Sequence, residues 1–141
     1  MTTLPDNVQE TALSVYGPEP GDRLQDLRPA LRDLREAYSN RVSPRFDQPR
    51  ARAAYVLAYH PHHCLLAAEV FASLGDEALG IAGKRSIRVT VLGAGPGSEV
   101  VALAWLHRTD DVEIHVHLVD REPSWEKTRG TTIDRTTSSW A

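Results

Sequence analysis

The sequence has little of several features that would place a protein in a specialised class. A single cysteine, Cys64, among 141 residues excludes a disulfide framework within one chain. No stretch approaches the ~20 apolar residues that a membrane span needs. The 16 basic and 19 acidic residues leave a net charge of −3, so no overall positive charge favours a nucleic-acid partner. Residues 1–6 lack the basic start and apolar run of a signal peptide, and we therefore expect a cytoplasmic protein with no membrane partner.

The composition is that of a globular protein, with 41% apolar and 25% charged residues. Prolines and glycines with few apolar anchors predict a flexible N-terminal arm over residues 1–22. Apolar residues at three- and four-residue steps predict a helical region over residues 23–83. The predicted helices are 23–38, which is either kinked or begins near Pro29, then 50–59 and 61–74, the last ending at Gly75.

The pattern changes over residues 84–141, where β-rich runs at 87–92 and 113–120 flank an apolar helical run at 98–107. A strand, a glycine turn, a helix and a second strand in this order predict a βαβ unit. We therefore expect an α/β fold in which N-terminal helices pack on a truncated Rossmann-like βαβ unit.

The glycine turn is the segment with the clearest functional signal. Residues 91–99 read Val-Leu-Gly-Ala-Gly-Pro-Gly-Ser-Glu, and Asp120 follows the second strand, 27 positions after Gly93. Glycines let a backbone turn tightly and let a ligand approach, and the start of the following helix suits an anionic group. An acid after the second strand can accept hydrogen bonds from ribose hydroxyls. The structural alternative is a tight turn in which Asp120 only caps the next helix.

The spacing of the glycines distinguishes between adenosyl ligands. A dinucleotide fingerprint needs its third glycine at position 98, which is a serine here. The G-x-G-x-G pattern of Gly93, Gly95 and Gly97 resembles motif I of the class I S-adenosylmethionine-dependent methyltransferases. Residues 118–122, Leu-Val-Asp-Arg-Glu, resemble the acidic second motif of that family.

The resemblance implies that the loop contacts the methionine part of S-adenosylmethionine and that Asp120 binds the ribose. It further implies that Arg121 or Glu122 lies near the adenine. Trp125 either joins the adenine pocket or serves only packing. The candidate cofactor-binding residues are Gly93, Ala94, Gly95, Pro96, Gly97, Ser98, Glu99, Asp120, Arg121 and Glu122.

Two departures from the family pattern limit what the resemblance implies. Many members have an acid at the position of Val91, and the resemblance covers only residues 50–130 of a family whose sheet has seven strands. We therefore expect an incomplete class I methyltransferase sheet, completed by a homodimer, by a second subunit or by a strand from the tail 128–139.

The predicted function is binding of S-adenosylmethionine or S-adenosylhomocysteine, as a truncated methyltransferase or a component of a methyltransferase assembly. A catalytically inactive regulatory module and a structural interaction protein are the alternatives; the acceptor and any catalytic residue stay open.

Other clusters carry weaker signals. The run His-Pro-His-His-Cys at 60–64 can be a zinc site, but a helix start with exposed imidazoles is favoured, with His60 or Tyr59 near the glycine loop as a further alternative. For Cys64 a small buried thiol is favoured over a nucleophile. His115 and His117 are expected on a solvated or interface-facing strand rather than on a metal. The remaining candidates form a basic patch that can bind phosphate or RNA, although a solvated face is favoured: Arg41, Arg45, Arg50 and Arg52, with Phe46 and Tyr55 nearby.

Overall fold

The computed structural model describes residues 23–126, 128–130 and 133, and the predicted arm over 1–22 lies outside this range. The elements in chain order are α1 (Arg23–Ser39), α2 (Pro49–Ala58), α3 (His60–Ala78), β1 (Ser86–Leu92), α4 (Ser98–Leu106), β2 (Glu113–Val119) and a 3-10 turn (Pro123–Trp125). The predicted helices and strands are confirmed, with ends that move by a few residues. The protein is a mixed helical protein with a small parallel sheet.

Prolines and a glycine define the helix boundaries. Helix α1 continues through Pro29, so the alternative of a later start is wrong. Pro49 begins α2, and Pro61 lies in the first turn of α3, where a missing N–H costs nothing. At Gly75 the backbone leaves helical geometry with φ 73° and ψ 163°, as the sequence predicts, and residues 76–78 form only a short turn beyond it.

The sheet consists of β1 and β2 paired in parallel, from Ser86 opposite Glu113 to Leu92 opposite Val119. One face is apolar: Val91 packs with Ala94 and Val100, and thereby α4 covers β1. The other face is solvated among the described residues, since Leu92 is 77% exposed, and His115 and His117 are exposed as expected. Because parallel strands end at the same edge, the residues that follow β1 and β2 meet there.

Helix α3 packs on α4 through a narrow stripe of small side chains. Its buried residues are His60, Cys64 and Ala68, spaced by four. Two larger apolar side chains of the same helix, Val70 and Leu74, are about half exposed. Small side chains allow a close approach between two helices, and the larger ones remain outside the contact.

The tail differs from its predicted strand. Residues 126, 128–130 and 133 are helical, and the Thr128 hydroxyl donates to the Ser124 carbonyl four residues earlier. Ile133 packs against the Val91 cluster of the sheet. This packing outweighs the β-branched character of the segment, because strand propensity depends strongly on tertiary context. The rest of the predicted tail strand lies outside the described residues.

No helix in the described part of the chain is long and apolar enough to cross a membrane.

Candidate functional site

The glycine loop, residues 93–97, leads from the carboxyl end of β1 to the first turn of α4. Gly93, Gly95 and Gly97 all have positive φ, at 67°, 48° and 88°, a region that side chains with a Cβ rarely adopt. A Cβ on Gly93 or Gly95 would meet nothing within 4 Å, whereas a Cβ on Gly97 would lie 2.8 Å from Ile133 Cδ1. The first two glycines therefore present bare backbone to open space, and the third allows close internal packing.

Asp120 lies directly against this loop. The Gly95 N–H donates to Asp120 Oδ2 at 2.7 Å, and the Glu122 N–H donates to Asp120 Oδ1 at 2.9 Å. The Ala94 N–H also donates to the Val119 carbonyl at 3.1 Å. The structure thus brings together the two motifs that are 27 positions apart in sequence. Asp120 binds the loop and turns the chain after β2, and the alternative that it only caps the next helix is wrong, because the cap of the following 3-10 turn is Glu122, whose carboxylate accepts the Ser124 N–H at 3.0 Å.

A cleft of about 370 Å³ opens beside the loop, and we call it the glycine-loop cleft. This volume lies within the ~300–1,000 Å³ of typical small-molecule sites. Its lining residues are Tyr38, Phe46, Tyr55, Gly93, Gly95, Asp120, Arg121, Glu122 and Trp125. The cleft therefore combines exposed backbone, two carboxylates, one guanidinium and four aromatic rings.

The predicted cofactor-binding residues divide into two groups. Five of them line the glycine-loop cleft: Gly93, Gly95, Asp120, Arg121 and Glu122. Four others are buried: Ala94, Pro96, Gly97 and Ser98. Glu99 is half-buried in the first turn of α4. The buried residues shape the loop from behind and do not present side chains to the cleft.

Aromatic side chains from the helical region form the wall opposite the loop. The ring centroids of Phe46 and Tyr55 are 5.2 Å apart, and those of Phe46 and Trp125 are 5.3 Å apart. Trp125 is 2% exposed and packs on Val56, so it serves packing while it also lines the cleft. Burial raises the pKa of Tyr55, whose hydroxyl pairs with His63 Nδ1 at 3.0 Å. The phenol therefore stays neutral across the physiological range.

Arg52 stabilises the aromatic wall through hydrogen bonds to the backbone at Phe46. Its Nη1 donates to the Phe46 carbonyl at 2.7 Å and to the Asp47 carbonyl at 3.1 Å. The residue is 8% exposed, and burial lowers the pKa of its guanidinium, partly offset by Glu122 and Asp47. The expectation of a solvated face is wrong for Arg52, because the carbonyl groups of the turn before α2 accept hydrogen bonds from its guanidinium.

The sequence reading missed the roles of Tyr38 and Arg129. Tyr38, at the end of α1, lines the glycine-loop cleft. Arg129 donates from Nε to the Gly95 carbonyl at 2.9 Å and from Nη1 to the Leu118 carbonyl at 3.4 Å. No sequence pattern marks either residue, since both reach the loop through tertiary folding. Arg121 donates to the Ser43 hydroxyl, which joins the cleft wall to the segment between α1 and α2.

His60 contacts the other side of the loop. His60 Nδ1 and Ser98 Oγ are 2.8 Å apart, and Cys64 Sγ lies 3.6 Å from the same nitrogen. His60 is fully buried, so the prediction of exposed imidazoles is wrong for this residue, and its place near the glycine loop is confirmed. Burial, with a smaller effect of His63, lowers the pKa of His60 to about 4. Burial raises the pKa of Cys64 to about 12, which confirms a small buried thiol rather than a nucleophile.

The described residues contain no group of three or more His, Cys, Asp or Glu side chains that could hold a metal ion.

Comparison of this chain with models of protein families, with curated proteins and with solved structures finds no match. The fold and site therefore define this protein only as a mixed helical protein with a small parallel sheet and a glycine-loop cleft.

The buried imidazole of His60 predicts a loss of stability in mild acid. The folded protein holds His60 neutral, so below about pH 6.5 the unfolded chain binds one more proton than the folded chain. The free energy of unfolding should therefore fall by about 3 kcal/mol as the pH drops from 6.5 towards the folded-state pKa of about 4. Urea unfolding at several pH values measures this slope.

Two histidine variants assign the slope to one residue. His60→Gln should lose this part of the pH dependence, whereas His62→Gln, at an exposed position, should keep it. Equal slopes in wild type and His60→Gln would contradict the assignment.

Proposed function

We propose that this protein binds S-adenosylmethionine in the glycine-loop cleft, as a methyltransferase-like protein of the truncated Rossmann-like kind that the sequence motifs predict. One observation carries the proposal: the bare backbone of Gly93 and Gly95 faces a cleft that also contains Asp120 and Glu122. A side chain at either glycine would occupy this space. The donor set thus fits a small ligand with hydroxyl groups and an apolar ring.

The residues of the cleft match the parts of such a ligand. Carboxylates accept hydrogen bonds from vicinal hydroxyls, and Asp120 and Glu122 retain free lone pairs beyond their bonds to backbone N–H groups. The rings of Tyr38, Phe46 and Tyr55 provide an apolar wall for a purine.

Binding is better supported than catalysis. When bound, S-adenosylmethionine supplies a sulfonium methyl group for in-line displacement by a nucleophile. The contribution of this chain to that reaction is positioning, since the cleft provides backbone, carboxylates and rings. A truncated methyltransferase, a component of a methyltransferase assembly and an inactive regulatory module share this binding step, and we place the protein in the cytoplasm in each case.

One observation favours a structural interaction protein as the second candidate. Both oxygens of Asp120 already accept backbone N–H groups, so the loop keeps its shape through contacts within the chain. A βαβ scaffold without a ligand would use Asp120 in the same way. A binding measurement separates the two candidates.

Isothermal titration with S-adenosylmethionine and S-adenosylhomocysteine tests the proposal. We expect saturable binding of one ligand per chain, weakened about tenfold or more by Asp120→Asn, because the acceptor for hydroxyl groups loses its charge and one of the two oxygens that accept the Gly95 and Glu122 N–H groups becomes an amide nitrogen. Asp111→Asn, at an exposed position before β2, is the matched control and should bind like the wild type. An absence of binding at millimolar concentrations of both ligands would rule out the cofactor proposal.

Two glycine substitutions test where the ligand lies. Gly93 and Gly83 share a φ of 67°, and neither has an atom within 4 Å of an added Cβ. Alanine at either position should therefore cost a similar ~1–2 kcal/mol of stability through backbone strain. Only Gly93→Ala should weaken S-adenosylmethionine binding, because its methyl group projects into the cleft. Equal affinities of the two variants would contradict the assigned site.

We also propose that another chain completes the sheet, as a homodimer or a second subunit. Within the described residues β1 pairs with β2 alone, and Leu92 and Val119 are exposed beside the cleft edge. Parallel strands with unpaired edges gain hydrogen bonds and apolar burial from a further strand or helix. Sedimentation equilibrium should give the mass of a dimer for the isolated protein. A monomer that binds the ligand would contradict completion of the sheet by a second copy of this chain.

A further inference from the structure

Two side chains hold Gly95 from both sides. The peptide group before it donates its N–H to Asp120 Oδ2 at 2.7 Å. The peptide group after it accepts the Arg129 Nε–H at its carbonyl oxygen at 2.9 Å. Arg129 Nη2 and Asp120 Oδ2 lie 4.0 Å apart, so the carboxylate, the guanidinium and the glycine form a closed ring of polar contacts.

The polar contacts between Asp120, Arg129 and Gly95 are largely shielded from water. The side chains of Arg129 and Asp120 are each 11% exposed, and electrostatic interactions strengthen where water is excluded. Arg129 also reaches the Leu118 carbonyl at 3.4 Å, near the end of β2. A planar guanidinium can donate to both carbonyls and face the carboxylate at once, which a lysine ammonium cannot reproduce.

The sequence around Gly95 gives its backbone more freedom than other residues would, so these side-chain partners add to the restraints on the loop. Glycine has the widest backbone freedom of any residue, and the following residue, Pro96, has no N–H with which to anchor the turn. Gly95 has a φ of 48°, and its missing Cβ would point into open space. The Gly97 N–H donates to the Ala94 carbonyl at 2.8 Å and closes the turn around Gly95 and Pro96, and the Arg129 contact adds a restraint on the Gly95 carbonyl itself.

We propose that Arg129 is a positioning residue of the cofactor site: it locks the Gly95–Pro96 peptide so that bare glycine backbone faces the ligand, and it holds Asp120 at the ligand's hydroxyl groups. This inference rests on the proposed binding of S-adenosylmethionine. Arg129 acts through Gly95 and Asp120 and does not line the glycine-loop cleft itself.

Four proteins test this role by titration with S-adenosylmethionine: the wild type, Arg129→Gln, Arg129→Lys and the control Arg88→Gln. Arg88 is exposed on the solvated face of β1 and has no contact with the loop. We expect Arg129→Gln to raise Kd about tenfold or more, as loss of a charge-assisted hydrogen bond does. Arg129→Lys should recover only part of the affinity, and Arg88→Gln should stay within about twofold of the wild type.

A ligand-free measurement separates positioning from general stability. In ¹⁵N spectra the Gly95 amide should shift in Arg129→Gln and stay unmoved in Arg88→Gln. The Arg129 Nε–H of the wild type should exchange slowly with solvent, and more slowly when S-adenosylmethionine is added. This measurement needs no variant, so it still tests the role of Arg129 if Arg129→Gln does not fold.

The outcomes distinguish the two proposals. An unchanged Kd in Arg129→Gln, even with a lower Tm, shows a structural role alone and overturns the inference, as does a fast-exchanging Nε–H in the wild type. If the wild type binds no S-adenosylmethionine, the proposed function fails, and the role of Arg129 at a cofactor site fails with it. A shifted Gly95 amide in that case identifies Arg129 as part of a loop scaffold only.

Discussion

The hydrogen bond between the Gly95 amide and the Asp120 carboxylate joins the ends of two parallel strands, and the rest of the site depends on it. The in-register pairing of Leu92 with Val119 brings both chain segments to one edge of the sheet. There the Ala94 amide continues the pairing for one more residue by donating to the Val119 carbonyl. The loop then turns away from the sheet with its glycines in the left-handed region, and the Asp120 carboxylate holds the Gly95 amide in this position.

The helices stabilise this arrangement from the side opposite the cleft and also build the wall that faces it. Behind the loop, the His60 imidazole pairs with Ser98 where α3 lies close to α4, and small side chains make that approach feasible. In front of it, Arg52 holds the turn that presents Phe46 against Tyr55 and Trp125. The cleft is thus shared between the sheet edge and the helical region, although the two halves are far apart in sequence.

The proposed ligand binding would use the same groups that hold the loop in place. Asp120 accepts two backbone amides and still borders the cleft, so a ligand would add to an existing set of contacts instead of creating a new one. Such a preformed site loses little conformational entropy on binding. Because Asp120 already holds the loop without a ligand, a motif typical of cofactor binding is also compatible with a purely structural scaffold. A measurement of binding therefore separates the candidate functions better than a measurement of activity.

Local patterns in the sequence are enough to specify the elements: alternating apolar residues specify β1 and β2, three- and four-residue steps specify the helices, and the G-x-G-x-G pattern with a distant Asp120 specifies the turn and its acid. The side chains that surround that turn are set by contacts between distant parts of the chain. No local pattern marks the roles of Tyr38 and Arg129, and the basic patch and the His-rich run draw attention to Arg52 and His60 without identifying their partners, because burial and hydrogen bonding across the chain assign these roles. Of the β-branched tail, the structure describes Ile133, which is helical and packs on the sheet, since contacts distant in sequence outweigh weak local propensity.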